Sequence, residues 1–137
     1  MSQSPNTVDV IDIPEHCGNA PRKAVVRDFL IALYQRDEPA VLDRLRDDVQ
    51  WDVIGSTQLH GHQAVESWLK TQPDVSALHL LTIITYGTDC AADGRVVGDD
   101  GTQTAFSHVF SFAGHTKTAQ LKTVRSYLVS LNTPTAR

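Results

Sequence analysis

Two groups of side chains have the types and spacing that could bind a metal ion. His60 and His62 flank Gly61, so a turn could bring both imidazoles to one cation, and carboxylates occur in the pairs Asp47–Asp48 and Asp99–Asp100. Neither group has a third ligand nearby in the sequence, and Asp is typical of turns and helix caps. We therefore expect no metal and no other cofactor.

A histidine inside an aromatic run is the other group that could do chemistry. His108 alternates with Phe106, Phe110 and Phe112, which places all four side chains on one face of a strand. An imidazole can donate a hydrogen bond or act as an acid or base near neutral pH, and the phenylalanines would form an apolar wall beside it. The alternative interpretation is a core histidine bonded to a backbone carbonyl.

Three helices and one strand are predicted in the first half of the chain. An amphipathic helix of about four turns follows Pro21, which suits a first helical turn, and a second, short helix is capped by Asp37 and ended by Asp47–Asp48. The alternation of residues 49–54 predicts a strand, followed by a polar loop that ends at His60 and Gly61. Apolar residues at helical spacing then predict a third helix from His62 to Lys70.

The second half of the chain predicts an antiparallel meander. Turns rich in Gly and Asp separate its four strands, which cover residues 77–87, 90–98, 102–113 and 119–131. Strands of this length must twist and curl, and Gly94 and Gly98 are candidate bulge points. A short apolar patch between residues 8 and 13 is a candidate edge strand. The element order predicts an α+β fold in which helices cover one face of a curved sheet and leave a cavity.

Composition and charge exclude several classes of partner. The chain has 137 residues with 41% hydrophobic and 20% charged side chains, which is enough for a packed core. Its net charge of -4, without any run of Lys or Arg, argues against nucleic acid as a partner. The longest apolar run, Phe29–Tyr34, is too short to cross a membrane. Cys17 and Cys90 have neither metal nor redox spacing and are expected to be reduced.

The same observations predict the organisation and location of the chain. The polar, proline-containing residues 1–20 are expected to form an N-terminal arm, residues 21–131 a single domain, and residues 132–137 a C-terminal tail. The start of the sequence lacks a basic segment followed by an apolar one, so we expect a cytoplasmic protein.

Four segments carry a family resemblance. They are IPEHCGNAPRK at 13–23, VQWDVIGSTQLHGHQAV at 49–65, IITYG at 83–87 and AFSHVFSF at 105–112. With the element order of residues 20–131, they resemble an uncharacterised bacterial subgroup of the nuclear transport factor 2-like superfamily, which includes ketosteroid isomerases, SnoaL-like polyketide cyclases and limonene epoxide hydrolase. The resemblance implies a cone-shaped, cystatin-like roll with a mostly apolar pocket and a homodimer formed through the outer face of the sheet.

The resemblance also implies where catalytic groups would lie. The enzymes of the superfamily use a carboxylate base on the first strand and hydrogen-bond donors on the first helix and the third long strand. Alignment on the loop glycines places the base at Asp52, whereas alignment on the helices places it at Val53. His108 falls at the donor position of the third long strand. Phe29 falls at the donor position of the first helix, where it lacks the hydroxyl.

Strand parity makes the two alignments exclusive. Trp51 and Val53 share one face of their strand, and Asp52 lies on the other unless a bulge intervenes. We favour Trp51 toward the pocket, and on the last strand parity admits either Ser126 or Tyr127. The expected pocket residues are Phe29, Leu33, Trp51, Val53, Trp68, Tyr86, Phe106, Phe110 and Ser126, with His108 among them.

Two functions follow from the resemblance. One is a pocket protein that binds a small, largely apolar molecule and has no reaction, because Phe29 lacks a donor hydroxyl. The other is an isomerase, cyclase or hydrolase that applies acid–base chemistry to a small carbonyl or epoxide substrate, with Asp52 as the base and His108 as the donor. A position of Asp52 on the outer face of the sheet would exclude it as that base.

Overall fold

The computed structural model describes residues 9–11, 21–116 and 118–131. Within these residues, three helices and seven strands follow one another, so the predicted α+β class is confirmed. They are β1 (Asp9–Ile11), α1 (Pro21–Gln35), α2 (Glu38–Arg44), β2 (Leu45–Val53), β3 (Thr57–His60), α3 (Gly61–Leu69), β4 (Val75–Tyr86), β5 (Asp89–Gly98), β6 (Gln103–Phe112) and β7 (Leu121–Ser130). Cys17 and residues 132–137 lie outside the described residues.

Helices α1 and α2 begin where the sequence predicts. Pro21 opens α1, whose buried stripe of Val26, Phe29, Leu30 and Leu33 provides the apolar side of the helix. Asp37 caps α2, because its carboxylate accepts a hydrogen bond from the backbone N–H of Ala40 at 3.3 Å. The first two helices therefore arise from a helix-starting proline and a local cap.

Two predictions for residues 45–60 are wrong. Asp47–Asp48 do not end a helix, because α2 stops at Arg44 and both carboxylates lie exposed within β2. Residues 57–60 are not a loop but β3, which a turn through Gly55, at φ 79°, folds back against β2. Leu59 is the buried residue of β3. A single apolar residue shows no alternation, which is why the sequence did not reveal this strand.

All seven strands form one sheet in the order β1-β4-β5-β6-β7-β2-β3. Strands β4 to β7 pair as the predicted antiparallel meander, and the candidate edge strand is present as β1 beside β4. The sheet is mixed rather than wholly antiparallel, since β1 runs parallel to β4 and β2 runs parallel to β7. A parallel pair needs a long connection, which α3 and the meander supply between β2 and β7.

The helices cover one face of this sheet, which we call the inner face, and the opposite side is the outer face. Helix α1 packs on β4 and α3 packs on β2. Buried and exposed residues alternate along β2, where Trp51 and Val53 face inward and Asp52 faces outward. Along β6 the inward side chains are Phe106, His108, Phe110 and Phe112.

Strand β4 contains two irregularities opposite the glycines of β5. The register shifts between Val75 and Ala77, opposite Gly98, and again between Leu80 and Thr82, opposite Gly94. Each shift inserts one extra residue into β4. The bulges therefore lie opposite Gly94 and Gly98, the predicted bulge points, but the extra residues belong to β4 and not to β5.

Gly94→Ala is expected to lower the free energy of unfolding by about 1–3 kcal/mol. A Cβ at position 94 would overlap the backbone carbonyl of His79 and press on the ring of Phe106. Urea denaturation measures the loss. Gly114→Ala is the matched control, because its nearest new neighbour would be the Cβ of Ala119 at 3.9 Å. Equal losses for the two variants would contradict the close approach at Gly94.

Candidate functional site

A cavity of about 90 Å³ lies between the inner face and the C-terminal ends of α1 and α3. The strands that reach it are the beginnings of β4 and β6 and the ends of β5 and β7, which adjoin one another in the meander. Its wall consists of Leu33, Tyr34, Arg36, Trp68, Leu69, Gln72, Pro73, Val75, Val96, Thr104, His108 and Leu128. Most of these side chains are apolar, which fits the predicted character of the pocket.

A chain of side-chain hydrogen bonds leads from the core to this cavity. The indole Nε1 of Trp51 donates to the hydroxyl Oγ of Ser126 at 2.8 Å. The same Oγ lies 2.7 Å from Nδ1 of His108, whose Nε2 is 2.8 Å from the hydroxyl of Tyr34. His108 therefore bonds two side chains and not the backbone carbonyl that the alternative interpretation required. The chain joins β2, β7, β6 and α1.

Burial keeps the two ionisable groups of this hydrogen-bond chain, His108 and Tyr34, neutral. His108 is 2% exposed, and its burial lowers the pKa of the imidazole to about 3. Burial also raises the pKa of the Tyr34 hydroxyl well above its ordinary value. The ring of Phe106 stacks on the imidazole with 5.0 Å between centroids. At neutral pH the cavity therefore has a neutral imidazole and a protonated phenol in its wall.

The charged residue in the cavity wall already has partners. Arg36 follows α1 with a positive φ of 63°, and its guanidinium donates to the backbone carbonyl of Gln72 at 2.9 Å and to the carboxylate of Asp74 at 2.6 Å. These bonds attach the segment after α3 to the end of α1. The guanidinium thus closes one side of the cavity, and its charge is balanced by a carboxylate.

Three of the predicted pocket residues line the cavity, namely Leu33, Trp68 and His108. Six others are buried beside it in the core and do not reach its wall. They are Phe29, Trp51, Val53, Phe106, Phe110 and Ser126. Phe29 packs edge-on against Phe110 with 5.7 Å between centroids, so a phenolic oxygen at that position would be enclosed by aromatic rings. The inner face carries these residues as predicted, but aromatic packing fills much of the space assigned to the pocket.

Two predicted site residues lie away from the cavity. Asp52 is on the outer face, beside Arg125 and Gln58 on the neighbouring strands, so it is not the base of this pocket. The parity that turned Trp51 inward is the reason, because no bulge separates these two residues. Tyr86 is 86% exposed at the end of β4 and does not reach the mouth of the cavity.

Tyr34 is the polar cavity residue that sequence reasoning missed. It continues the series Val26, Leu30, Tyr34 at the i, i+4, i+8 spacing of one helix face, so the helical period contained the signal. The predicted apolar stripe ends at Leu33 and therefore omits this side chain. Arg36 and Gln72 gave no comparable signal, since both lie just beyond the ends of helices.

The candidate metal ligands have other roles or no common centre. His62 bonds the backbone carbonyl of Leu45 through Nε2 at 2.7 Å, next to the start of α3. Within residues 9–11, 21–116 and 118–131, no three His, Cys, Asp or Glu side chains come together as a metal site. In that same part of the chain, every helix falls short of the length and apolar character needed to cross a membrane.

Solved structures with the same fold have been identified for this chain, although neither a protein-family model nor a curated protein matches its sequence. A protein from Kribbella flavida, provisionally described as a ketosteroid isomerase, superposes with a TM-score of 0.68 at 14% identity, over 85% of this chain and 84% of that one. A protein from Shewanella denitrificans, provisionally described as a SnoaL-like polyketide cyclase, gives a TM-score of 0.68 at 10% identity, over 80% and 90% of the two chains.

An LEH-like epoxide hydrolase from M. tuberculosis is also similar, with a TM-score of 0.62 at 20% identity over 76% of this chain and 75% of that one. Other matching structures are nuclear transport factor 2-like proteins of unknown function. The chain therefore has the fold of the nuclear transport factor 2-like superfamily, as the sequence resemblance predicted. At these identities, the similarity shows the fold and does not identify a ligand.

The buried imidazole predicts a pH dependence of stability. Its pKa is about 3 in the folded protein and 6.5 for the unperturbed group. Between these values the unfolded chain binds a proton that the folded protein does not, so stability is fully present above pH 6.5 and is lost as the pH falls. The contribution of His108 to this loss is at most about 1.4 kcal/mol per pH unit.

His108→Gln is therefore expected to lose less stability than the wild-type protein when the pH is lowered from neutral to about 5, since glutamine has no proton to gain. Urea denaturation at a series of pH values measures the difference. His60→Gln removes an exposed histidine and should keep the wild-type slope. A wild-type slope in His108→Gln as well would contradict the low pKa.

Proposed function

We propose that this protein binds a small, largely apolar molecule in the cavity between α1 and the meander. The observation that carries the proposal is the composition of the wall, in which apolar side chains surround the hydroxyl of Tyr34 and the imidazole of His108. Binding pockets typically combine apolar surface with a few polar groups that orient the ligand. Both groups are neutral here, which suits an uncharged molecule.

The size of the cavity limits the ligand further. Its volume of about 90 Å³ is well below the roughly 300–1,000 Å³ of pockets that take drug-sized ligands. An apolar cavity of about 150 Å³ is known to take up benzene. The proposed ligand therefore has about the size of a five- or six-membered ring. A fused polycyclic molecule would require the aromatic core beside the cavity to rearrange.

Binding without acid–base turnover is the function that the wall supports best. None of the described residues that line the cavity carries a carboxylate, and Asp52 lies on the outer face. His108 is a poor base, since burial lowers its pKa to about 3 and both of its ring nitrogens are engaged. The wall can hold a substrate oxygen but offers no group to remove a proton from carbon.

Cyclopentanone, a compact ring of suitable size, is expected to bind wild-type protein with a dissociation constant on the order of 1 mM. Thr104→Trp should abolish this binding, because Thr104 lines the cavity and an indole in its place would occupy the space. Ligand-observed NMR titration measures the affinity.

Thr118→Trp is the matched control, since it introduces the same side chain at an exposed threonine far from the cavity in the fold. Circular dichroism verifies that both variants are folded. The proposal is overturned if wild-type protein does not bind the probe, or if Thr104→Trp binds it as well as Thr118→Trp does.

We also propose that a second copy of this chain covers the outer face. Ile84, Tyr127 and Val129 are 57%, 41% and 59% exposed there, which is unusual for apolar side chains on one sheet surface. The acidic residues Asp52 and Asp93 also lie on this face. Arg95 and Arg125 share this face, so two copies offer both apolar surface and complementary charges.

Light scattering on a sizing column should then give twice the chain mass of 15.1 kDa. Val129→Asp is expected to shift the protein to the monomer, because a carboxylate would be placed in the apolar part of the interface. Thr116→Asp adds the same charge on an exposed turn and should leave the dimer intact. A monomeric wild-type protein would refute the proposed interface.

A further inference from the structure

We infer that Trp51, Ser126 and His108 form a directed hydrogen-bond chain that presents the hydroxyl proton of Tyr34 to an acceptor oxygen of the bound molecule. The ligand class is thereby narrowed to small, neutral, mostly apolar molecules that carry a carbonyl or ether oxygen. This inference rests on the function proposed above and adds to it which atom of the protein recognises the ligand.

The direction of the chain starts at Trp51, because an indole N–H can only donate. It donates to the Oγ of Ser126, which is fully buried and lies within bonding distance of one further side-chain atom, Nδ1 of His108. Ser126 has one proton of its own to place. Among the described residues, Nδ1 of His108 is the acceptor available to it, so the Ser126 hydroxyl donates to Nδ1.

This assignment fixes the tautomer of His108. A neutral imidazole that accepts at Nδ1 carries its proton on Nε2. Nε2 lies 2.8 Å from the hydroxyl oxygen of Tyr34, so the imidazole donates to the phenol. The Tyr34 oxygen then accepts this hydrogen bond, and the proton of the Tyr34 hydroxyl can be donated to another acceptor.

The opposite direction leaves a buried donor without a partner. If Nδ1 of His108 carried the proton, Ser126 Oγ would accept from both Trp51 and His108. The Ser126 proton would then have no acceptor among the described residues, in a side chain with 0% exposure. An unpaired buried hydroxyl is costly, because it loses its hydrogen bonds to water and gains none in the protein. The assigned direction instead leaves the Tyr34 proton without an acceptor among the described residues, but this proton lies at the cavity wall, where a molecule in the cavity can accept it. The direction from Trp51 toward Tyr34 is therefore favoured.

The Tyr34 proton is available to a ligand in the cavity. Tyr34 and His108 both line its wall, so the bond between them lies at the cavity surface. Among the described residues, His108 is the hydrogen-bond partner of the Tyr34 hydroxyl. In the assigned direction, Nε2 of His108 donates to the Tyr34 oxygen, so the Tyr34 proton is not engaged in this bond. Each link of the chain also polarises the next, which makes the terminal hydroxyl a better donor than an isolated phenol.

The charges around the cavity favour an uncharged acceptor. Arg36 is the cation in the wall, and its guanidinium is held by the Asp74 carboxylate and the Gln72 carbonyl. A carboxylate ligand would have to compete with Asp74 for that cation and lose its hydration in an otherwise apolar cavity. A ketone or cyclic ether needs one donor, which is what Tyr34 supplies.

The first test reads the tautomer of His108 in the ligand-free protein, and its outcome does not depend on the proposed binding. Long-range ¹H–¹⁵N correlation spectra distinguish a protonated ring nitrogen from an unprotonated one. We expect Nε2 to be protonated and Nδ1 to be unprotonated in the wild-type protein. Ser126→Ala, which removes the donor to Nδ1, should introduce the other tautomer. A protonated Nδ1 in the wild-type protein overturns the inference.

The second test compares two probes of the same shape, cyclopentanone and methylenecyclopentane, of which only the ketone has an acceptor oxygen. Wild-type protein should bind the ketone about three to ten times more tightly, the ratio expected of one hydrogen bond. Tyr34→Phe should bind both probes equally, with unchanged affinity for the hydrocarbon. Tyr86→Phe removes the hydroxyl of a side chain that is 86% exposed and lies away from the cavity, and it should keep the preference.

The outcomes separate the inference from the function on which it rests. If wild-type protein binds both probes equally, or if Tyr34→Phe keeps the preference for the ketone, the cavity binds ligands but Tyr34 is not the recognising donor, and the inference is overturned. If wild-type protein binds neither probe, the proposed function fails, and the role of Tyr34 in recognition fails with it. The NMR result then still decides the direction of the chain.

Discussion

The bond between His108 and Ser126 is the interaction on which the rest of the inner face depends. It joins β6 to β7 in a region from which water is excluded, and Trp51 and Tyr34 attach β2 and α1 to the same pair. Because each buried polar group would be costly without its partner, the four elements must meet in one register. A shift of one residue in any of the three strands would turn its polar member to the outer face and leave the others unpaired.

The packing around this network explains why the space under the helices is small. Phe29 lies 6.1 Å from Trp51 and 5.7 Å from Phe110, and Trp51 lies 5.3 Å from Trp68, measured between ring centroids. The rings of Phe29, Trp51 and Phe110 occupy the space beside the cavity, and Trp68 forms part of its wall. The cavity is therefore confined to the end where α1 and α3 stop. A shared fold with named enzymes thus does not imply shared room for a substrate.

Most of the fold follows from the sequence because its elements carry strong local signals. Pro21, the Asp37 cap and the glycine-rich turns define the ends of elements, and alternation placed Trp51 and His108 inward. The sequence was less informative where a residue depends on distant parts of the chain. β3 has a single buried residue, and the hydrogen bond of His108 to Tyr34 spans 74 positions, which no local pattern can reveal. The parallel pairing of β2 with β7 is hidden for the same reason.

The bulge between Leu80 and Thr82 reverses the inward and outward alternation along β4. Leu78 and Leu80 are buried at even positions, both Leu81 and Thr82 are exposed, and Ile83 is buried at an odd position. If all of these residues paired regularly without the bulge, either the leucines or Ile83 would turn away from the core, whereas deletion of Leu81 would restore alternation and keep all three facing inward. In related chains of this fold, a single residue should therefore be lost from this strand only at the bulge, and length changes elsewhere in the strand should come in pairs of residues.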